Sequence, residues 1–293
     1  MMIVFNPAAG KRRAQRLWRV LDIMVQNGVK LELHETKAPG HATELAHEAA
    51  LAGRPMVVAA GGDGTIAEVA AGLSGSQTRL GIIPLGTANV LAHELGLPFA
   101  PSQVAAALAF SRTRPIWPGI AEASCGERLF VQMLGTGFDA EVVHHLDLGL
   151  KRRLGRTAYV LQGLRETTRY SFPAITLTLD GEPTSAGSVI VTKGRYYAGH
   201  YTIAPQASPF QPGFTVVMFD RAGPLSALAY GTALTLDQIG RMLGIRIRQA
   251  SIIHIAAGLT QADGDPAGSG PLTIRDAALP IDVVVGEPQT LRA

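Results

Sequence analysis

The sequence predicts an α/β-plus-β fold: a doubly wound α/β first domain over residues 1–117, then an antiparallel, sandwich-like β domain with inserted helices over 118–280. Three observations predict it. Up to Trp117, short apolar runs alternate with segments of helical period, the pattern of parallel strands joined by crossover helices. The texture changes around Pro115 and Pro118. Beyond them, short apolar runs are separated by Gly, Pro and Asp turns, as in antiparallel β structure.

In order, the first part reads as strand 2–5, helix 11–27, strand 29–34, helix 41–52, strand 55–60, helix 65–73, strand 80–83, and helices 87–95 and 101–111. In the second part, strand-like runs fall at 128–134, 174–180, 187–193, 201–204, 214–219, 251–257 and 272–275. Helical stretches at about 150–168 and 224–243 interrupt them, and a last apolar run spans 281–285. No internal repeat is visible. The 293 residues, 47% apolar and 17% charged, fit an ordinary globular protein of one or two domains. A net charge of +3 is too small to argue for a nucleic-acid partner. The single cysteine, Cys125, excludes an internal disulfide and reads as a small buried apolar residue.

The first strand begins at Met2 with no basic and apolar leader ahead of it, so no signal peptide is expected. The longest uncharged stretch, Tyr201 to Phe219, contains Pro205, Pro209 and Pro212 and does not read as a spanning helix. The expectation is a cytoplasmic protein that meets a membrane only from outside, on its inner face.

Residues 55–68 carry the strongest chemical signal. The run Met56 to Ala60 has the composition of a buried strand and enters Gly61-Gly62-Asp63-Gly64-Thr65, after which Ile66, Val69 and Ala70 keep helical spacing. Glycines let the chain turn sharply with its N–H groups uncovered, and at a helix N-terminus such donors cradle a phosphate. A carboxylate inside that cradle would repel the phosphate unless a cation or an acidic proton stood between them, so Asp63 suggests Mg²⁺-nucleotide chemistry. Two other readings of the turn fail on spacing. The dinucleotide fingerprint needs an acidic residue some way downstream, and Gln77 to Val90 contains none. A P-loop needs Lys-Ser or Lys-Thr after the glycines, and neither is present. The bland alternative is a Gly-rich strand–helix turn without a ligand.

A second strand–turn–helix follows: Leu80-Gly81-Ile82-Ile83, then Pro84-Leu85-Gly86-Thr87-Ala88-Asn89, then a helical run. Thr87 and Asn89 would lie at the carboxyl ends of parallel strands, the edge where open α/β sheets bind ligands. Asn6 and Gly10 open another loop at that edge.

The pair Gly61-Gly62-Asp63-Gly64-Thr65 and Pro84-Leu85-Gly86-Thr87-Ala88-Asn89 resembles the diacylglycerol kinase catalytic-domain family, which includes bacterial lipid kinases and is related to sphingosine and ceramide kinases. Asn6-Pro7-Ala8-Ala9-Gly10 is similar to that family's first loop. Gly135-Thr136-Gly137-Phe138-Asp139-Ala140, Ala204-Pro205 and Asp263-Gly264-Asp265 fall in its order, so the likeness covers nearly the whole chain. It implies an ATP- and Mg²⁺-dependent kinase of a lipid hydroxyl, of diacylglycerol or of a sphingoid or ceramide type, and a final segment, 281–293, that returns to the first domain. It adds Thr36 and Glu68 to a nucleotide site made of Asn6, Gly10, Gly61, Gly62, Asp63, Gly64, Thr65, Thr87 and Asn89. Asp63 would also hold the metal. On composition alone Thr36 is equally a helix-capping residue.

Two Asp-Gly segments compete for the acceptor carboxylate: Asp180-Gly181-Glu182 and Asp263-Gly264-Asp265. Locally either is a hairpin turn. The resemblance assigns the role to Asp263 and Asp265, because the family's motif comes late, and leaves Asp180 as a turn. Three positions depart from the family. Asp265 stands for glutamate, Val90 for an aspartate, and Gln206 for an aspartate that in bacterial members holds a structural Mg²⁺. No metal is therefore expected at residues 204–208, since a neutral amide does not replace that charge.

On the acceptor side, Lys151-Arg152-Arg153-Leu154-Gly155-Arg156 leads into Tyr159, Leu161 and Leu164 at helical spacing, which suits anionic lipid or merely a solvated cationic face. The mixed run Arg195 to Tyr201 suits a headgroup interface or an ordinary strand edge, and His144 and His145 read as structural. Expected partners are a lipid substrate at a membrane surface and no nucleic acid, with a homodimer left open. Two other function classes compete: a kinase of a soluble acceptor such as NAD, and a nucleotide-binding regulator without transfer activity.

Overall fold

A computed structural model of the chain describes residues 1–7, 11–110, 112–124, 126–147, 149 and 156–286; Gly10, Cys125 and the basic run 151–155 lie outside them. The chain forms two compact units, one from Met1–Trp117 plus the segment from Ala278 onward, the other from Pro118–Ala277.

The first unit contains β1 (Met2–Phe5), α1 (Lys11–Gln26), β2 (Glu32–Glu35), α2 (His41–Leu51), β3 (Met56–Gly61), α3 (Asp63–Leu73), β4 (Arg79–Pro84), α4 (Val90–Glu94), α5 (Pro101–Phe110) and β5 (Thr113–Ile116). The last strand of the chain, β20 (Ile281–Val284), joins them. The sheet order is β2-β1-β3-β4-β20-β5, parallel throughout except where β5 runs against β20. Every residue of β1 and β3 is buried. Helices covering both faces explain why these strands read as continuous apolar runs rather than alternating ones. The chain leaves β1 toward β2 on one side and returns to β3 on the other, so the order reverses at β1/β3, where the carboxyl ends of neighbouring strands splay open as a crevice.

The second unit contains β6 (Gly119–Ala123), β7 (Gly126–Phe130), β8 (Met133–Gly137), α6 (Phe138–His144), α7 (Arg156–Arg169), β9 (Ile175–Leu179), β10 (Glu182–Ala186), β11 (Ser188–Thr192), β12 (Tyr196–Tyr197), β13 (Tyr201–Thr202) and β14 (Phe214–Phe219). It continues with α8 (Pro224–Thr235), β15 (Ile245–Ala250), β16 (Ile253–Ile255), β17 (Leu259–Ala262), β18 (Asp265–Ser269) and β19 (Leu272–Asp276). Two antiparallel six-stranded sheets, β10-β9-β16-β19-β6-β7 and β15-β14-β11-β8-β17-β18, enclose one core. Ile175, Leu177 and Leu179 from the first sheet meet Phe214, Val216 and Met218 from the second, each set at the two-residue spacing that points side chains to one face.

Several boundaries differ from the sequence reading, for local reasons. Helix α3 starts at Asp63, so the carboxylate sits on its first residue rather than in the preceding loop. Helix α4 starts only at Val90, because Asn89 adopts a left-handed conformation, φ 49°. The stretch 128–134 is two strands broken at Val131 and Gln132. The helix expected over 224–243 ends at Thr235, and Ile245-Arg246-Ile247-Arg248 forms β15.

One buried ion pair fixes the long connection between β11 and β14. Lys193 Nζ lies 2.5 Å from Asp276 Oδ1 and donates to the Gly213 carbonyl at 2.7 Å, while the Gly213 amide donates to Asp276 Oδ2 at 2.6 Å. The Phe214 ring lies 4.4 Å from the ammonium. Burial pulls the lysine's proton affinity down and Asp276 opposes it. So buried a cation depends above all on its counter-charge, since an uncompensated buried charge is strongly destabilising.

Candidate functional site

The first cluster of predicted residues lies at the carboxyl edge of the first unit's sheet. Asn6 follows β1, and its amide Nδ2 donates to Thr65 Oγ1 at 3.2 Å, a bond that spans the β1/β3 reversal. Thr36 follows β2 at the same edge, its N–H donating to the Phe5 carbonyl. The loops after β3 and β4 are tied by the Leu85 amide donating to the Gly61 carbonyl at 2.8 Å. They touch backbone to backbone: a Cβ on Gly86 would stand 2.6 Å from the Gly62 Cα, and one on Gly61 2.5 Å from Thr65 Oγ1. These glycines are required for closeness of approach. The amides of Gly64 and Thr65 open α3 without intrahelical acceptors, a donor set for an anion, while the Asp63 amide is turned to its own carboxylate.

Two oxygens in this crevice lack donors. Asp63 Oδ1 and Asn89 Oδ1 are both buried and take no hydrogen bond. Asn89 holds its place through Nδ2, which donates to the Gly86 carbonyl at 3.0 Å. Burial raises the proton affinity of Asp63, and the backbone amides of Val90, Leu91 and Asn89 work against that rise. A buried carboxylate oxygen and a buried amide oxygen on consecutive loops of one sheet edge, neither with a donor, are hard oxygen ligands of the kind that hold a hard cation. The residues present therefore fit Mg²⁺. Thr87 is exposed on the β4–α4 loop. Glu68 is engaged elsewhere: its Oε2 accepts from the Ala42 amide at 3.2 Å and its carbonyl accepts from Thr43 Oγ1, clasping α2 to α3.

The second cluster lies in the second unit, around the β17–β18 hairpin. Asp263 and Gly264 form its two-residue turn, with φ 50° and 84°, and Ala262 pairs with Asp265. The Asp263 carboxylate accepts from three backbone amides at the β7–β8 break: Val131 at 2.8 Å, and Gln132 and Met133 at 2.9 Å. Both oxygens are thus committed to holding that break. Asp265, on the first residue of β18, is half-buried.

Sequence reasoning missed the network beneath this turn. The Gly264 amide donates to Gln261 Oε1 at 2.9 Å, and Gln261 Nε2 donates to Asp139 Oδ2 at 2.6 Å. The Tyr197 hydroxyl donates to the other oxygen, Asp139 Oδ1. Burial raises the proton affinity of Asp139, and these two donors offset part of the rise. A Cβ on Gly135 would fall 2.0 Å from Asp139 Oδ2, which explains the glycine there. The only signal in the sequence was an aspartate two residues after Gly135-Thr136-Gly137, at a strand–helix junction. His145 was also under-read: its Nδ1 lies 3.4 Å from Glu141 and 3.6 Å from the buried Glu166, a grouping made by α6 packing on α7.

Residues 1–119 match the family model of the diacylglycerol kinase catalytic domain, and residues 132–285 match that of the YegS C-terminal NAD kinase beta sandwich-like domain. The chain is 31% identical to a diacylglycerol kinase of Bacillus subtilis, over 75% of this chain and 73% of the relative. It is 30% identical to a "Probable lipid kinase YegS-like" protein of Pseudomonas putida, over 89% and 88%. It spans half the length of an uncharacterized Synechocystis relative, 29% identical over 74% of this chain. Among solved structures, a diacylglycerol kinase from Bacillus anthracis matches with a TM-score of 0.71 at 22% identity, covering 98% of this chain and 96% of that one. An NAD kinase from Archaeoglobus fulgidus in complex with ATP matches with a TM-score of 0.54 at 16% identity, covering 98% and 94%. No helix among the described residues is long and apolar enough to cross a membrane.

Proposed function

The chain belongs to the diacylglycerol kinase-like family of lipid kinases, and we propose that it transfers the γ-phosphoryl group of ATP to the hydroxyl of a lipid. The observation that carries this reading is the pair of buried, donor-less oxygens, on Asp63 and Asn89, set beside a helix N-terminus and two touching glycine loops. Phosphoryl transfer asks the protein mainly to position its reactants and to stabilise charge. The amides opening α3 bind phosphate oxygens, and Thr65, held by Asn6, keeps that turn in place. Mg²⁺, when bound by Asp63 with Asn89, neutralises charge developing on the phosphates.

On the acceptor side we assign the general base to Asp265 rather than Asp263. Both Asp263 oxygens are occupied by backbone amides, so that residue shapes the turn and presents its neighbour. Asp265 would take the hydroxyl proton as the acceptor oxygen bonds to the γ-phosphorus and the bond from that phosphorus to the bridging oxygen breaks, releasing ADP. The test uses γ-labelled ATP, Mg²⁺ and mixed micelles of diacylglycerol, ceramide, sphingosine or monoacylglycerol, with the lipids extracted and resolved. Label in a lipid, absent with Asp63→Asn, supports the proposal; no label in any lipid overturns it. The fold likeness to an ATP-bound NAD kinase favours one rival, a soluble acceptor, which predicts label in NAD when lipid is left out.

A further inference from the structure

We infer that Glu141, His145 and Glu166 of the second unit form an exchangeable Zn²⁺ site. Helix α6 supplies Glu141 and, four residues on at its C-terminal cap, His145, so the two side chains lie on one face. Helix α7, which packs against α6, supplies Glu166. His145 Nδ1 lies 3.4 Å from Glu141 Oε2 and 3.6 Å from Glu166 Oε1, and all three ligand atoms lie within 4.8 Å of one another. Zinc bonds of about 2.0–2.2 Å to imidazole and carboxylate put neighbouring ligand atoms of a tetrahedron about 3.3–3.6 Å apart. Two edges of the cluster already have that length.

Burial supplies an independent reason for a cation. Glu166 is only 3% exposed, and its Oε1 is oriented by Gln162 Nε2, which donates to it at 2.7 Å and is itself buried. That donor is neutral. Among the described residues, no lysine or arginine lies within ion-pair distance of Glu141 or Glu166, and His145 is the one partner there able to carry positive charge. A carboxylate so buried needs a counter-charge. A protonated His145 would bring one positive charge to two carboxylates, and its Nδ1–H would be contested by the Glu141 carbonyl at 3.1 Å. A divalent ion neutralises both carboxylates and takes the lone pair of a neutral imidazole. The donor set selects the metal: nitrogen with carboxylate oxygen suits Zn²⁺, whereas Mg²⁺ favours oxygen alone. The His145 side chain is 55% exposed, which leaves the fourth position to water and lets the ion exchange. When loaded, the site clasps the end of α6 to α7.

The experiment is calorimetric titration of Zn²⁺ into the untagged, chelator-treated full chain in millimolar Mg²⁺, with thermal melting alongside. Wild type should bind Zn²⁺ despite the Mg²⁺ and melt at a higher temperature once loaded. Glu166→Gln, which keeps an acceptor for Gln162, and His145→Gln, at a side chain half in solvent, should each weaken binding at least about tenfold and abolish the zinc-dependent rise in melting temperature. His47→Gln, at an exposed histidine of the first unit, should behave as wild type. Co²⁺ in place of Zn²⁺ should give wild type the intense visible absorption of a tetrahedral site, absent from the Glu166 and His145 variants. No Zn²⁺ binding by wild type would overturn the inference, as would binding indifferent to Glu166→Gln and His145→Gln or lost with His47→Gln. So would a lower melting temperature in Glu166→Gln with no response of wild type to Zn²⁺, since the two glutamates would then serve a protonated His145 alone.

Discussion

The two Asp-Gly turns of the second unit are the same structure in two settings. Asp180-Gly181 joins β9 to β10 and Asp263-Gly264 joins β17 to β18, each as a two-residue hairpin with both residues at positive φ. In each the aspartate reaches across to backbone amides of another segment: Ser251 and Ile252 for Asp180, and Val131, Gln132 and Met133 for Asp263. The surroundings differ. Asp180 is exposed at the edge of its sheet, and Glu182 after it is exposed as well. Asp263 is buried, its turn is tied through Gln261 to Asp139 and Tyr197, and the residue after it is the half-buried Asp265. Local sequence dictates the turn, and tertiary context decides how deeply it is buried and what it is tied to.

Substitutions can break or sharpen this contrast. The largest expected effect is Asp265→Asn, which removes the proton acceptor and should lower kcat by about 10²–10⁴-fold with little change in stability; steady-state assays on folded protein check it. Next is the buried anchor. Asp276→Ala leaves Lys193 without its counter-charge and should destabilise the fold by about 3–5 kcal/mol, read from denaturant midpoints. The matching change in the exposed Arg246–Asp220 pair, Asp220→Ala, should cost about 1 kcal/mol or less.

Asp139→Asn tests the network. An asparagine oriented to accept from Tyr197 turns its amide toward Gln261, whose own amide must then flip and present N–H to the Gly264 amide. The turn should lose its support, with kcat falling about tenfold or more at unchanged ATP KM. Gln261→Glu, which puts a carboxylate against Asp139, should reproduce the loss. The smallest effect belongs to Asp180→Asn, which keeps an acceptor for Ser251 or Ile252 and should cost about 1 kcal/mol with no change in kcat.

Legibility followed the range of the interactions. The first unit's strands were readable because helices on both faces make them unbroken apolar runs, and Gly61–Thr65 because glycine and aspartate at a strand–helix junction have few physical uses. Strand β15 was missed although Ile245-Arg246-Ile247-Arg248 alternates plainly; the helical pattern before it was carried too far. Asp139 makes its contacts with Tyr197 and Gln261 across 58 and 122 residues of chain; the Gly-Thr-Gly turn before Asp139 was a faint local mark, and nothing local marks the other two. Lys193 gave one hint, a lysine ending the apolar run Val189–Thr192, but its partner Asp276 is 83 residues on. The preference for Asp263 to Asp265 over Asp180 came from resemblance; what separates the two turns physically is burial and the network beneath Asp263.

The most direct measurement compares kcat for Asp180→Asn and Asp265→Asn on the lipid that wild type labels, with both proteins verified as folded by thermal melting. The account predicts wild-type turnover for Asp180→Asn and a loss of at least about a hundredfold for Asp265→Asn. Near-wild-type turnover in Asp265→Asn, or its abolition in Asp180→Asn, would contradict it.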